Sequence, residues 1–502
     1  AGGRGRGSAP PRPCTAVTAD SQATPSCVAY FGDRAGVPAA AVLGGSGVEL
    51  VPLERSSSEE EGSSIVADVL SWAGRVAACC CSCCSRQGHS DGGLPAQLDF
   101  GDLLSVRAAP GAAGGATTVR MVHCPQGSGG RRRRDICLDF ASGDAHAWAA
   151  SVSARCPPVQ PAERHLLVFV NPKSGSGTGP RDWAQVEELW SAVPGLRTTV
   201  VVTTRAGEAS EYAATRDLSA FHGVVVVSGD GMVHEVWNGL ASRPDAEAAL
   251  RLPIGHIPSG SGNGLAKSIL DAAGERYGVL DAAFAIARRG ARAKTLMSVR
   301  TGDDPPRISF LSLSAATLSD IDIASEGLRC LGGARFTVWA VGRVVRPVVL
   351  EAELVYWPSD AAEPLPREEP AMGAELAGGA WTRIEDGFTI FWACQVAWCA
   401  SDACPAPDAQ LDGGEWHILI CRRGSGGGGR GTLARTLLAL EDGGHRGIPG
   451  VEVVRCRAFR LTPRSSSGIF SLDGEVVPFG PLQAWPARHS GYVLGASPLE
   501  KV

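Results

Sequence analysis

Hydrophobic and polar positions follow a regular alternation in the middle of this 502-residue chain. From 165 to about 295, short apolar runs such as Leu166–Val170 and Val224–Val227 alternate with segments whose apolar residues recur at helical spacing. Runs of β-branched residues this short are typical of strands buried on both faces. The alternation predicts βαβ units and a parallel, doubly wound sheet, so we assign 165–295 to an α/β domain.

Strand-like patterns dominate on either side of this domain. Between 41 and 155, short alternating strands precede a helical segment that presents Trp148 to a core, an order that resembles a pleckstrin-homology-type domain. After 296, strand patterns recur with few helices between them, which predicts a mostly antiparallel β-sandwich domain over 296–497. Its strand-like segments lie near 307–313, 387–398, 415–421, 451–461 and 468–477, with a loop insertion from about 357 to 385.

The N-terminal segment 1–40 is of low complexity, and we expect a disordered tail there. Its first 19 residues lack acids and contain Arg, Ser and Pro, a composition that also fits an organelle transit peptide. The true N-terminus and any organelle targeting stay open at this point.

Composition narrows the class of protein. A chain of this length is expected to hold two to four domains. The 47 basic and 52 acidic residues give a net charge of −5, which argues against general nucleic-acid binding. No apolar run reaches membrane-spanning length. The 16 cysteines lack paired CxxC motifs, so neither a zinc site nor a disulfide scaffold is indicated. We therefore expect a reducing compartment and a cytoplasmic protein.

Two clusters in the N-terminal part suggest contact with a membrane. Cysteines crowd the segment Cys79–Cys84 after a short apolar segment, 66–76, which favours either reversible palmitoylation or an exposed loop. The basic run Arg131–Arg134 predicts either a site for an anionic lipid head group or a solvated hairpin tip.

Three glycine-containing loops follow successive strands of the predicted α/β domain and begin at Asn171, Ser228 and Ser259. Backbone amides in such loops approach phosphate oxygens closely because no Cβ intervenes. Neither the Walker pattern nor the dinucleotide-binding pattern is present. Asp230 lies between two glycines at the start of a predicted helix, where it is either a helix cap or a carboxylate facing a bound ligand.

These loops resemble those of the sphingosine kinase branch of the diacylglycerol-kinase-type lipid kinases. The resemblance is carried by Asn171-Pro172, by the segment Ser228-Gly-Asp-Gly-Met-Val-His-Glu-Val-Trp-Asn-Gly239 and by Pro258-Ser-Gly-Ser-Gly-Asn-Gly-Leu-Ala266. It extends over about 165–497 and includes the segments 320–326 and 470–475. It implies a phosphofructokinase-like α/β domain, a β-sandwich domain, and a nucleotide in the cleft between them.

The resemblance also implies the reaction. ATP, with Mg²⁺, donates its γ-phosphoryl group to the primary hydroxyl of a sphingoid base, and Asp230 matches the catalytic base. No metal ligand is assigned. The nucleotide-binding positions of the family match Asn171, Lys173, Thr203, Ser228, Gly229, Gly231, Ser261, Gly262, Asn263, Glu326, Arg329, Arg335 and Glu475.

The lipid head group is assigned to Asp322. The ammonium of a sphingoid base needs a negative partner, and such a partner discriminates it from neutral diacylglycerol. In an extended Asp320-Ile-Asp322 segment both carboxylates share one side, so the residue pattern leaves both open and the resemblance selects Asp322. Segment 325–345 is expected either to gate lipid entry at a membrane or to be core.

Two departures from the family concern the loops and the lipid pocket. Ser174-Gly175 replaces the usual pair of glycines, and Ala316, Thr317 and Leu318 stand where an aromatic residue is expected. A ceramide or diacylglycerol kinase is the enzymatic alternative, and an inactive lipid-binding adaptor is the alternative of another class. The sequence leaves the preferred sphingoid base (sphingosine, dihydro or phyto form) and the oligomeric state open.

Overall fold

The computed structural model describes residues 28–32, 38–43, 47–52, 97–110, 117–140, 145–156, 163–324, 334–376, 378–424 and 429–497. They fall into two compact units. The larger unit holds 128–131 and 159–499, and the smaller holds the remaining described residues. The Cys79–Cys84 cluster and residues 1–27 of the expected tail lie outside the described residues. The expected disordered tail over 1–40 is wrong for its later part, where Val28–Gly32 and the start of Pro38–Leu43 form paired strands.

The described residues of the smaller unit form an antiparallel sheet and one α-helix. The sheet has the strand order β4-β3-β2-β1-β9-β6-β5, and helix α1 (Ala145–Arg155) contributes the buried Trp148 to its core. Sheet and helix lie near where the sequence predicts them, while the assignment to the pleckstrin-homology type stays a prediction. The strands are β1 (Val28–Gly32), β2 (Pro38–Leu43), β3 (Gly47–Pro52), β4 (Gln97–Asp99), β5 (Leu103–Pro110), β6 (Thr117–His123) and β9 (Arg134–Phe140), and β7 (Gln126–Gly127) and β8 (Gly130–Arg131) fall between β6 and β9 in the chain.

The basic run is less exposed than expected. Arg131 is only 7% exposed, and its guanidinium pairs with the buried Glu275 at 2.8 Å. Arg133 is half-buried and pairs with Asp135, which leaves Arg132 and Arg134 exposed. The expectation that all four arginines lie at the surface is therefore wrong for Arg131, while the choice between a lipid site and a solvated hairpin tip stays a prediction for the others.

The α/β part of the larger unit contains a six-stranded sheet of order β11-β10-β12-β13-β25-β14. Its first five strands are parallel, as predicted, and the edge strand β14 is antiparallel to β25. The strands are β10 (Arg164–Val170), β11 (Leu196–Val202), β12 (Gly223–Ser228), β13 (Ile254–Pro258), β14 (Ala291–Lys294) and β25 (Gly491–Leu494). The helices are α2 (Gly179–Trp190), α3 (Glu208–Thr215), α4 (Asp230–Ala241), α5 (Ala246–Ala249), α6 (Gly264–Ala272) and α7 (Val279–Arg288).

The second part of the larger unit is rich in strands. Its ten-stranded sheet contains a closed ring of pairings, β18–β19–β20–β21, because the long strands β19 and β21 each pair with both β18 and β20. The strands are β15 (Met297–Thr301), β16 (Arg307–Ser309), β17 (Ser312–Ala316), β18 (Leu350–Pro358), β19 (Thr382–Cys394), β20 (Trp416–Arg422), β21 (Val451–Pro463), β22 (Phe470–Leu472), β23 (Glu475–Val477) and β24 (Leu482–Pro486). The predicted β-rich second part is confirmed, and the domain boundaries stay predictions.

In the described residues, three α-helices interrupt this β-rich part, where few helices were expected. They are α8 (Thr317–Ala324), α9 (Ala334–Val345) and α10 (Arg430–Leu438). Among the described residues, no helix combines the length and the apolar character needed to cross a membrane.

Helix α4 is the packing centre of the larger unit. Val233, Val236, Trp237 and Leu240 are fully buried, which confirms the apolar face that their helical spacing predicts. The same core takes residues from the β-rich part, and the ring of Trp237 packs on that of Phe310 with centroids 4.7 Å apart. Because α4 begins at Asp230, this packing holds that carboxylate in a fixed position.

Candidate active site

The three glycine loops lie together at the carboxyl edge of β10, β12 and β13. Ser228 at the end of β12 connects two of them, since its hydroxyl donates to Ser174 at 3.1 Å and the Asn171 amide donates to it at 3.4 Å. Asn171 also accepts the backbone amide of Lys173 at 2.9 Å, which closes a turn. Gly175 and Gly177 have φ of 55° and 81°, where a side chain would be strained.

The second and third loops touch backbone to backbone. A Cβ on Gly260 would lie 2.3 Å from the Cα of Gly229, and one on Gly229 would lie 2.8 Å from the carbonyl oxygen of Gly262. Both positions therefore require glycine. Both loops border the same cavity, and backbone amides of glycine loops suit an anionic ligand.

Asp230 is the buried carboxylate of this site and is 5% exposed. It accepts hydrogen bonds from the amides of Gly264 at 2.7 Å and Leu265 at 3.1 Å, at the N-terminus of α6. Burial raises the pKa of the Asp230 carboxyl to about 7, and the two amides oppose that rise while Asp473 and Asp322 add to it. A carboxylate with a pKa near neutrality is suited to accept a proton from a substrate.

His256 on β13 faces the same carboxylate. Its Nε2 donates to the carbonyl oxygen of Ser228 at 3.0 Å, so its Nδ1 carries the lone pair and lies 3.7 Å from Asp230 Oδ1. Burial lowers the pKa of His256 to about 4, so the ring is neutral at pH 7. Among the described residues, none hydrogen-bonds this Nδ1. The ring therefore brings no positive charge to Asp230 and leaves it available as a base.

A second buried carboxylate, Asp473, connects the α/β part to the β-rich part. It accepts the hydroxyl of Ser309, the amides of Phe310, Leu311 and Ser312, and a ring nitrogen of His234 on α4, all at 2.9–3.2 Å. Asp473 and Gly474 have φ of 53° and 89° in the two-residue turn between β22 and β23. This turn type favours an Asp-Gly pair.

That turn also directs Glu475 toward the second glycine loop. A Cβ on Gly231 would lie 2.5 Å from a carboxylate oxygen of Glu475, which is too close. Glu475 can therefore hold this position only because Gly231 lacks a side chain. Glu475 and Glu235 both line the cavity beside the glycine loops.

Asp322 and Asp320 lie on helix α8 and point to different surroundings. The segment is helical and not extended, so residues two apart do not share a side. Asp320 is held by Arg343 and by the indole of Trp339 at 3.0 Å, both on α9. Asp322 lines the cavity and accepts the hydroxyl of Ser471 at 2.8 Å. The geometry separates two carboxylates that the residue pattern leaves equivalent.

One cavity of about 720 Å³ has a lining of two kinds. The glycine loops with Lys173 and Thr203 form one part of it, and apolar residues of α8, α9, β19 and α10 form another. Asp230, Asp322 and Glu475 line it as well. The apolar lining consists of Leu311, Leu318, Ile321, Ala340, Trp392, Leu437, Leu438 and Leu440.

Most of the nucleotide-binding residues inferred from the sequence border this cavity. They are Asn171, Lys173, Thr203, Ser228, Gly229, Gly231, Ser261, Gly262 and Glu475. Asn263 differs, because its side chain binds the backbone of Gly260 through both ends and also reaches the Tyr277 hydroxyl at 3.0 Å. We therefore assign Asn263 to holding the third loop in place. Glu326 and Arg329 lie outside the described residues, and Arg335 lies in α9 with its side chain outside them.

His256 and Asp473 are site residues that sequence reasoning missed. His256 occupies a strand that is buried throughout, so its position favoured a structural role. Asp473 could have been found from its Asp-Gly hairpin signal between two apolar runs.

The carboxylates of the site were compared with what Mg²⁺ binding requires. Among the described residues, no group of three or more His, Cys, Asp or Glu side chains could hold a metal ion. Mg²⁺ is usually bound through one or two carboxylates together with the phosphates of the nucleotide. Glu475 and Glu235 beside the glycine loops have the donor chemistry for that arrangement.

Known proteins resemble this chain in sequence. Residues 165–299 match the family described as diacylglycerol kinase catalytic domain. The chain is 30% identical to mouse sphingosine kinase 1 over 64% of this chain and 89% of that protein, and 27% identical to human sphingosine kinase 2 over 74% and 81%. A solved diacylglycerol kinase from Bacillus anthracis is 15% identical with a TM-score of 0.42, covering 68% of this chain and 98% of that one.

Proposed function

Because the chain belongs to the sphingosine kinase family of diacylglycerol-kinase-type lipid kinases, we propose that it transfers the γ-phosphoryl group of ATP to the primary hydroxyl of a sphingoid base. The observation that carries the proposal is the continuity of the cavity. Phosphate-binding loops and an apolar lining share one space, and Asp230 borders it.

The glycine loops bind the nucleotide. Loop amides that donate to no group of the described fold, such as those of Gly175, Ser261 and Gly262, contact the phosphates. Lys173 adds a positive charge. Bound Mg²⁺ would neutralise charge on the phosphates, with Glu475 and Glu235 as its protein ligands. Asn263 and Asp473 keep the loops and Glu475 in place.

Asp230 accepts the proton of the lipid hydroxyl. Phosphoryl transfer depends mainly on positioning and charge neutralisation, and a carboxylate that orients the hydroxyl and takes its proton supplies the remaining need. The amides of Gly264 and Leu265 fix the orientation of both carboxylate oxygens. Neutral His256 adds no positive charge that would lower the basicity of Asp230.

Asp322 binds the ammonium of the sphingoid base. An unpaired charge in a mostly apolar cavity is costly, so the amine requires a carboxylate at this point. Ceramide and diacylglycerol carry no such charge, and the position of Asp322 on the cavity wall therefore favours a sphingoid base over these neutral lipids. The hydrocarbon chain extends along the leucines of α10 and the apolar face of α8.

We also propose peripheral contact with membranes through α9 and α10. Val341, Val345 and Leu438 are 65%, 60% and 83% exposed, and Leu438 also lines the apolar part of the cavity. Exposed apolar side chains on helices that also line a lipid cavity favour contact with a lipid surface. The cytoplasmic location stays a prediction.

The test is a transfer assay with the purified full chain, γ-labelled ATP and mixed micelles that contain sphingosine, ceramide or diacylglycerol. We expect label on sphingosine, and at most a small fraction of that rate on the two neutral lipids. Equal or greater labelling of ceramide or diacylglycerol would replace the proposed substrate class. Absence of label on all three lipids would support a lipid-binding protein without kinase activity.

A further inference from the structure

A row of serine hydroxyls lies on the cavity wall beside Asp322. On β17, Ser312 and Ser314 line the cavity, whereas Leu313 and Ala315 pack into the core of the β-rich part. The strand register places Ser314 directly opposite Ser471 of β22, which also lines the cavity. Ser471 is the residue that donates to Asp322 at 2.8 Å.

The hydrogen-bonding capacity of these serines is only partly used. The proton of the Ser471 hydroxyl is donated to Asp322, which leaves its lone pairs to accept a hydrogen bond. Among the residues that the structure describes, none hydrogen-bonds the hydroxyl of Ser314, although the residue is only 6% exposed. A hydrocarbon chain passing over Ser314 would remove it from water without replacing its hydrogen bonds, which is unfavourable.

The order of polar groups in a sphingoid base matches the order of these residues. The reacting hydroxyl is on C1, the amine is on C2 and a hydroxyl is on C3 in every member of the class, whereas a hydroxyl on C4 is present only in the 4-hydroxylated (phyto) bases. With the amine at Asp322, the C3 hydroxyl lies next to Ser471. Cβ atoms opposite each other on neighbouring strands are about 5 Å apart, so Ser314 is within reach of the next carbon.

We propose that Ser314, supported by its cross-strand neighbour Ser471, forms a subsite for the C4 hydroxyl, so that this enzyme prefers 4-hydroxylated sphingoid bases to their 4-deoxy counterparts. The inference rests on the proposed function and names the substrate within its class. A site built to hydrogen-bond a hydroxyl rejects an analogue that lacks it, because the buried polar group of the protein then stays unpaired.

The test compares two substrates that differ only in this hydroxyl, 4-hydroxysphinganine and sphinganine of equal chain length, presented in the same mixed micelles. We expect the full-length enzyme to show a kcat/KM for the 4-hydroxy base about 5- to 10-fold above that for sphinganine, the effect of one net hydrogen bond. In Ser314→Ala we expect the ratio of the two kcat/KM values to fall toward one.

Ser319→Ala is the matched control. The hydroxyl of Ser319 on α8 donates to the backbone of Ala316 and Ile469, so its removal alters packing near the cavity without removing a cavity hydroxyl. The substrate ratio should therefore stay at its wild-type value in this variant, whatever happens to absolute turnover. Thermal melting of each variant identifies any loss of fold.

Two results would overturn the inference. Equal kcat/KM for both bases in the wild-type enzyme would show that no subsite for the C4 hydroxyl exists. A preference that persists unchanged in Ser314→Ala would assign it to other residues. Both results leave the kinase activity itself intact, whereas failure to phosphorylate either base would contradict the proposed function.

Discussion

The lining of the cavity consists of backbone in one region and side chains in another. We call the region of the glycine loops the phosphate end and the region with Asp322 and the apolar residues the lipid end. At the phosphate end the backbone forms the surface, because Gly229, Gly231 and Gly260 allow loops and Glu475 to approach within distances that any side chain would prevent. At the lipid end side chains form the surface, with Asp322 and the serines supplying polarity and the leucines of α10 supplying apolar area. Asp230 serves both ends. Recognition by backbone suits the phosphates of ATP, which are the same in every turnover. Recognition by side chains suits the discrimination of one lipid from another.

The largest loss of turnover is expected on replacing Asp230, the residue on which both ends depend. Asp230→Asn removes the base and keeps the volume, so kcat should fall by roughly 10²- to 10⁴-fold. Steady-state turnover with saturating ATP and sphingosine measures this. Asp217→Asn is the matched control, since Asp217 is exposed and its hydrogen bonds within the described residues are to the nearby Ser219. Retention of more than about a tenth of wild-type turnover would contradict the role of Asp230.

The lipid end alone is altered by Asp322→Asn. Loss of a charged hydrogen bond of about 1.5–3 kcal/mol should raise the KM for sphingosine by roughly 10- to 100-fold and leave the KM for ATP near its wild-type value. Asp320→Asn, in the same helix, is the control because its carboxylate binds Arg343 and Trp339. If sphingosine and a neutral lipid lose activity in equal proportion in Asp322→Asn, the residue is structural.

The phosphate end alone is altered by Gly260→Ala. The added Cβ would lie 2.3 Å from the Cα of Gly229, so the two loops must separate, at about 1–3 kcal/mol of stability. We expect a lower melting temperature and a KM for ATP that rises more than the KM for sphingosine. Gly431→Ala in α10, where nothing lies within 4 Å of the new Cβ, should leave the KM for ATP and the KM for sphingosine unchanged. A change confined to the lipid KM would refute the division between the two ends.

The pH dependence of activity and of stability tests the raised pKa of the buried Asp230 carboxyl. The raised pKa, about 7, means that kcat/KM should rise with pH through about 7, since only the ionised carboxylate accepts a proton. The folded state binds this proton more tightly than the unfolded state, so its contribution to stability is lost as pH rises from about 4 through 7. Between pH 5 and 8, wild-type stability should therefore decline relative to Asp230→Asn. A pH-independent difference in melting temperature would show that Asp230 does not titrate in this range.

The smallest effect on chemistry is expected at the outer surface of the lipid end. Replacing Val341 and Val345 with Asp should reduce sedimentation with liposomes, because the exposed apolar face of α9 is lost. Activity on substrate in detergent micelles should change little. Val200→Asp, on the edge strand β11, is the control for an added surface charge. Unchanged liposome binding in the α9 variant would exclude this helix as the membrane contact.

The same contrast explains what could be predicted from the sequence. The phosphate end is encoded in short contiguous motifs, so the loops and the start of α4 could be inferred before any coordinates, while the catalytic role of Asp230 stays a prediction. The lipid end is assembled from residues between 311 and 471, and their proximity depends on the pairing of β17 with β22 and on α8 being a helix. Its apolar residues give no periodic signal that separates a cavity wall from a core. The tautomer of His256 is likewise fixed by a carbonyl on a neighbouring strand.

The most direct test of the account is a structure of Asp230→Asn with ATP, Mg²⁺ and a sphingoid base, in which slow turnover preserves the complex. We predict the phosphates against the glycine loops, the C1 hydroxyl within hydrogen-bonding distance of residue 230, and the ammonium against Asp322. A lipid bound with its head group away from Asp322, or a nucleotide bound outside the three loops, would contradict the central claim that one continuous cavity brings both substrates to Asp230.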